Sequence, residues 1–265
     1  MHQTSARSFY RHSTSWLVIT FAIIVVATNS RAQSAGGQVL QSTPSTQQKS
    51  GPKPSVLEPY APREPSIGLT PIVQTRGGID LGNASHLSKG ETEYRAGRHA
   101  AAVPELKEAV KESPSSYESH YLLALTLTET GKLEEAIAEF QKAIELATKD
   151  GSKIVAYYNM GNAHFDLAQY AKAATAYEQA LKLDATLSKP HYNLGLAHVG
   201  MNEISEAAEQ FKAAVQLKPE YAEAHYNLGV GYLQLGKRRE AEEQQNLLSK
   251  LNPELAAKLD HLIKK

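Results

Sequence analysis

The chain has 265 residues, and its 28 basic residues balance 28 acidic ones, so bulk charge draws it neither to nucleic acid nor to an anionic membrane. It contains no cysteine, which excludes a disulfide scaffold and a lipid anchor carried on a cysteine behind a leader. Residues 1–15 carry Arg7 and Arg11 and no acid, and Trp16 to Ala27 is an apolar run broken only by Thr20. Ser30-Arg31-Ala32 then offers small residues at the −3 and −1 positions of a cleavage site. Together these are the three parts of a secretory signal peptide, and the run of 12 residues is short of the ~20 that cross a bilayer as a helix. The expectation is export, periplasmic or secreted, with cleavage after Ala32. The alternative is a membrane tether through residues 16–27, an uncleaved signal anchor, because the polar segment ahead of the run is long. Cleavage would remove three arginines and no acid, leaving a net charge of −3.

Residues 33–82 hold seven prolines among many Ser, Thr, Gln and Gly. A segment of this composition buries too little apolar surface to offset its ordering entropy, so it reads as a disordered linker. Asn83-Ala84-Ser85 is a formal glycosylation acceptor, relevant only in a eukaryotic host.

Beyond the linker the sequence repeats. Gly161, Gly195 and Gly229 stand 34 residues apart inside Tyr-Tyr-Asn-Met-Gly, His-Tyr-Asn-Leu-Gly and His-Tyr-Asn-Leu-Gly. Ala173, Ala207 and Ala241 follow each glycine by 12 residues, and Gly90 with Ala102 and Ala124 with Ala136 extend the pattern upstream. A fixed period of this length marks a helical solenoid. Five repeats result, at 83–116, 117–150, 154–187, 188–221 and 222–255, with three extra residues placed in a loop around Asp150-Gly151-Ser152.

The pattern resembles the tetratricopeptide repeat family. Within each repeat that family favours a bulky residue at position 4, Leu-Gly at 7 and 8, Ala at 20, an aromatic at 24, Ala at 27 and Pro at 32. The fourth repeat supplies His191, Leu194, Gly195, Ala207, Phe211, Ala214 and Pro219. The third supplies Tyr157, Met160, Gly161, Ala173, Tyr177 and Ala180, and the second His120, Leu123, Ala124, Ala136, Phe140 and Ala143. The first and fifth are looser, with Lys89 for Leu, and Gln245 and Leu248 for the aromatic and the alanine, as the ends of an array are expected to be. The resemblance implies an all-α, right-handed superhelical solenoid of antiparallel helix pairs. After Pro253 the chain reads as one more amphipathic helix, with Leu255, Leu259, Leu262 and Ile263 covering the last repeat as a C-terminal cap, of which residues 256–265 lie past the fifth repeat.

No catalytic constellation emerges, and no cofactor is expected. Gly231 to Lys237 spells a phosphate-loop pattern, but Arg238 stands where Ser or Thr is required and no strand precedes it. His86, His120, His191 and His225 all occupy position 4, and His164 and His198 occupy position 11, so they read as packing residues and not as metal ligands.

In members of the resembled family, the first helix of each repeat lines a concave groove, with positions 2, 5, 6, 9, 12 and 13 facing it. Position 5 is Tyr121, Tyr158, Tyr192 and Tyr226, and position 6 is Asn159, Asn193 and Asn227. Tyrosine offers a broad apolar face with a polar tip, and an asparagine amide both donates and accepts. These residues, with Asn162 and Phe165, are the candidate ladder for an extended peptide backbone. Family members that grip an acidic chaperone tail place bases at positions 2 and 5 or 6; here Tyr121, Tyr158, Asn193 and Glu223 stand there, with Lys189 the lone base, which argues against such a clamp. Two functions remain open: a non-catalytic scaffold binding a protein or peptide partner of the cell envelope, or a regulatory or substrate-presenting subunit of an envelope enzyme or assembly.

Overall fold

The computed structural model describes residues 85–265; the signal segment at 1–32, the linker at 33–82 and the start of the glycosylation triplet lie outside the described residues. Five helix pairs follow one another: α1 (His86–Arg95) with α2 (His99–Glu112), α3 (Tyr117–Glu129) with α4 (Leu133–Leu146), and α5 (Asp150–Asp166) with α6 (Tyr170–Leu183). Then come α7 (Ser188–Gly200) with α8 (Ile204–Leu217), α9 (Ala222–Gln234) with α10 (Arg238–Leu251), and a single α11 (Pro253–Ile263). Each helix packs on the next in sequence, which is the all-α solenoid of helix pairs expected. Among the described residues no helix is long and apolar enough to cross a membrane.

Side-chain caps open several helices. Ser85 accepts from the Ser88 amide, Ser116 from Ser119, and Asn252 from Leu255, each satisfying a donor with no partner inside the helix. Pro253 therefore does more than end α10: it stands at the first position of α11, where its fixed φ suits a helix start.

The turn inside each pair is built on one left-handed residue. It is Gly97, Gly131 and Gly236 in three repeats, with φ of +73°, +75° and +72°, but Ala168 and Asn202 in the other two, with φ of +54° and +63°. In all five the next amide reaches back to the helix, as in Gln169 N to His164 O at 2.9 Å and Glu203 N to His198 O at 2.9 Å. Asparagine tolerates this region and alanine does not, so Ala168 holds a strained backbone imposed by its neighbours.

The three extra residues do not form the expected loop. They lie inside α5, which runs for 17 residues where α3, α7 and α9 run for 13. A helix absorbs an insertion of about one turn by growing at its end, which keeps the packed face in phase. Tyr117 donates to the Ser152 carbonyl at 3.1 Å and ties this added turn to α3.

Packing within a pair depends on the small residue at position 8. A β-carbon on Gly161 would lie 2.6 Å from Tyr177 Cε1, and one on Gly195 2.6 Å from Phe211 Cε1. On Gly90 it would lie 2.5 Å from Leu106 Cδ2. In each case the obstructing side chain is the residue at position 24 of the same repeat, fully buried. The fifth repeat has Gln245 at that place, and Leu259 of α11 covers Gly229 instead, at 2.5 Å from an added β-carbon. The cap helix thus supplies the wedge that the last repeat lacks.

Two outcomes test this packing. Gly195→Val should overpack the crossing and lower unfolding free energy by about 1–3 kcal/mol in denaturant titration. Ala168→Gly should raise it by about 1 kcal/mol by relieving the left-handed alanine.

Candidate functional site

Contacts between α1 and α3, α3 and α5, α5 and α7, and α9 and α11 run along the array, whereas the even-numbered helices make no comparable contact with one another. The odd-numbered helices therefore line the shorter, inner arc. The position-5 tyrosines and position-6 asparagines sit on these helices, as the sequence placed them.

Their side chains, however, face one another. Asn159 Nδ2 donates to Tyr121 Oη at 2.8 Å, Asn193 Nδ2 to Tyr158 Oη at 3.0 Å, and Asn227 Nδ2 to Tyr192 Oη at 3.0 Å. Asn162 Oδ1 accepts from Asn193 at 3.0 Å and from Tyr177 Oη at 2.7 Å. Each bond of the first kind joins an asparagine to the tyrosine of the preceding repeat. Tyr121 is 1% exposed, and Tyr158, Asn159, Asn162, Tyr192, Asn193 and Asn227 are 0% exposed. The expectation that these side chains meet a ligand is corrected accordingly: the ladder lies between repeats and offers no side-chain surface to a groove. Tyr226 is buried but ends the series, and Phe165 is half-buried against the Tyr170 ring, with centroids 5.2 Å apart. The rings of the ladder also pack inward in tilted pairs, Tyr121 with Phe140, Tyr158 with Tyr177 and Tyr192 with Phe211, all with centroids 5.8–5.9 Å apart.

The inner arc still carries accessible groups at the remaining groove positions. Position 2 presents Glu118, Lys189 and Glu223, position 13 presents Arg95, Glu129, Asp166 and Gln234, and Tyr94, Thr128, Phe165 and Leu233 stand half-buried at position 12. Four of these are acids and two are bases, so the face carries a modest negative bias although the whole chain is neutral.

A second recurring device is built on the position-4 histidines. Nδ1 of His120 meets Glu139 at 2.6 Å, that of His191 meets Gln210 at 2.8 Å, and that of His225 meets Gln244 at 2.7 Å. Nε2 donates to the carbonyls of Pro114, Ala185 and Pro219 at 3.1, 3.2 and 2.9 Å, because a carbonyl can only accept. Each imidazole thus clamps the second helix of its own repeat to the chain leaving the previous one. The reading as packing residues holds for position, and the recurring acid or amide 19 residues downstream was the signal for the clamp. At position 11, His164 pairs with Gln169 at 2.9 Å, and burial lowers its pKa from the ordinary 6.5. Among the described residues no three His, Asp or Glu side chains converge to hold a metal.

Comparison with known proteins agrees with this geometry. Models described as tetratricopeptide or TPR repeats match residues 87–151, 161–202, 199–236 and 222–255. An Hsp70-Hsp90 organizing protein of Triticum aestivum is 31% identical over 97 residues, covering 37% of this chain and 16% of that protein, so the chain matches only about one-sixth of that relative's length. The crystal structure of MamA aligns with a TM-score of 0.59 at 26% identity, over 63% of this chain and 96% of that one. YrrB, described as a TPR protein with an unusual peptide-binding site, aligns with a TM-score of 0.58 over 70% of this chain and 95% of that one; at 20% identity it shows the fold alone.

Two measurements probe the ladder and the position-11 histidine. Asn193→Ala removes two buried hydrogen bonds and should cost about 1–3 kcal/mol in thermal or denaturant unfolding. A His with a depressed native pKa binds fewer protons folded than unfolded, so its contribution to stability is present above 6.5 and is lost as pH falls below it. His164→Gln should therefore flatten the stability-versus-pH slope on the acid side of 6.5, read as melting temperature across that range.

Proposed function

Because the chain belongs to the tetratricopeptide repeat family, we propose that its array is a non-catalytic scaffold that holds an extended segment of a partner protein along the inner arc of the odd-numbered helices. One observation carries this reading: the accessible groups of that arc recur at the same repeat positions, from Glu118 on α3 to Gln234 on α9. Regular spacing on a rigid support suits a ligand that is itself regular, such as an extended chain.

The buried ladder sets the role of the accessible residues. It fixes one repeat against the next, so position-2 and position-13 groups are held in place before a partner arrives, which lowers the ordering cost of binding. With Glu118, Glu129, Asp166 and Glu223 against Arg95 and Lys189, the stretch from α3 to α9 favours a segment that is neutral or basic. Phe165 on α5 and Leu233 on α9 offer apolar contacts along this stretch. The wheat relative is named for organizing Hsp70 and Hsp90 and YrrB for a peptide-binding site; both names concern protein partners, in keeping with the scaffold reading. The array works outside the cytoplasm in this proposal, delivered by the signal segment at 1–32, with residues 33–82 as a spacer.

The test is crosslink-and-capture in the native host. The variant Glu129→Lys, Asp166→Lys, Glu223→Lys reverses the charge of the arc on exposed or half-buried positions and should weaken capture by at least about tenfold while helicity is unchanged. Deleting residues 33–82 should leave capture intact. Capture that survives charge reversal and fails on the deletion would overturn the groove reading in favour of a subunit docked through its linker. A mature terminus at Gln33, read by mass spectrometry, is the expected outcome for export with cleavage, and an intact Met1 or His2 would establish the tethered form.

A further inference from the structure

The asparagine–tyrosine ladder has three rungs and four tyrosines. Tyr121, Tyr158 and Tyr192 each accept from an asparagine one repeat further on. For Tyr226 the equivalent residue, 34 positions after Asn227, is His261 on α11. No hydrogen bond joins the two, and Tyr226 has no hydrogen-bond partner among the described residues. Between them lies an open cavity of about 480 Å³, walled by the Tyr226 ring, Ala257 and Leu262, with His261 exposed beside it.

The surroundings restrict what this cavity accepts. Glu254 and Lys258, also in its wall, form an ion pair with Lys258 Nζ donating at 2.7 Å, so the rim is neutral overall and each charge is already paired. A charged ligand would lose hydration here without gaining a free counter-ion. Tyr226 and Lys258 line the same cavity; burial raises the pKa of the Tyr226 hydroxyl, and the Lys258 ammonium opposes that rise. A neutral group with a donor and an acceptor side by side, carried on an apolar stem, fits all of these features.

We propose that this cavity binds a side-chain carboxamide, the Asn or Gln of an otherwise apolar partner segment, which completes the fourth rung. The amide N–H donates to Tyr226 Oη, as the chain's own asparagines do on the other three tyrosines, and the amide carbonyl accepts from the His261 imidazole. The apolar neighbours of the amide lie on Ala257 and Leu262. The assignment rests on the scaffold reading only in taking a peptide as the carrier, and it adds a second recognition point at the C-terminal end of the array.

The probe is the blocked tripeptide acetyl-Leu-Asn-Ala-amide, with its Asp and Ala counterparts, titrated at millimolar concentration into the full chain while the backbone amide signals of α11 are followed by NMR. The Asn peptide should give saturable shifts and bind about tenfold more tightly than the other two, the scale of one well-made hydrogen bond lost. Tyr226→Phe should erase that preference and leave the melting temperature nearly unchanged, and His261→Ala, an exposed change, should weaken the Asn peptide alone. The charge-reversal variant of the inner arc should bind the Asn peptide normally, so that failure of the groove reading and failure of this site are separable. Equal binding of the three peptides, absence of saturable shifts, or a preference that persists in Tyr226→Phe would overturn the proposal.

Discussion

The close crossing of two helices over a small residue, glycine in four repeats and Ala124 in the second, is the constraint on which this structure depends. Gly90, Gly161 and Gly195 admit a leucine, a tyrosine or a phenylalanine at a distance where any β-carbon would collide. The crossing sets the angle within each pair, and that angle repeated along the chain gives the odd helices their shorter path. Neither helix of a pair buries its apolar face alone, so the geometry of one crossing propagates as the geometry of the array. The C-terminal end obeys the same rule by other means, since Leu259 reaches back from α11 to fill the space that Gln245 leaves.

Much of this was legible because packing positions recur at a fixed interval. Ala173, Tyr177, Ala207 and Phe211 are buried where their spacing put them. The insertion within α5 was legible as three residues but not as a helical turn, because residues 150–152 contain a glycine and an acid typical of loops, while Tyr117 of α3 holds the Ser152 carbonyl. The strained Ala168 was not legible at all: nothing in its composition marks the turn that Gly131 and Gly236 announce.

The candidate site shows a different kind of limit. Sequence placed the tyrosines and asparagines on the inner helices but could not tell inward from sideways, since both directions lie within a small rotation of the same helix. Which one holds depends on the partner across the repeat boundary, a residue 35 or 38 positions away. The polar tips that suggested a ligand are the same chemistry that lets a buried tyrosine be satisfied by its own chain. Positions 2, 12 and 13 keep accessible side chains that vary from repeat to repeat, while positions 5 and 6 stay nearly constant.

The uneven distribution of rungs has a mechanical meaning. The joints between the second and third, third and fourth, and fourth and fifth repeats each carry an amide-to-phenol bond, whereas the first joint has Leu87 and Leu122 at the corresponding places. That first joint is held instead by the His120 imidazole on the Pro114 carbonyl and by the Lys107–Glu135 ion pair at 3.1 Å. A load applied along the axis would therefore meet couplings of two kinds, buried amide-to-phenol bonds at three joints and apolar packing with a peripheral clamp at the first.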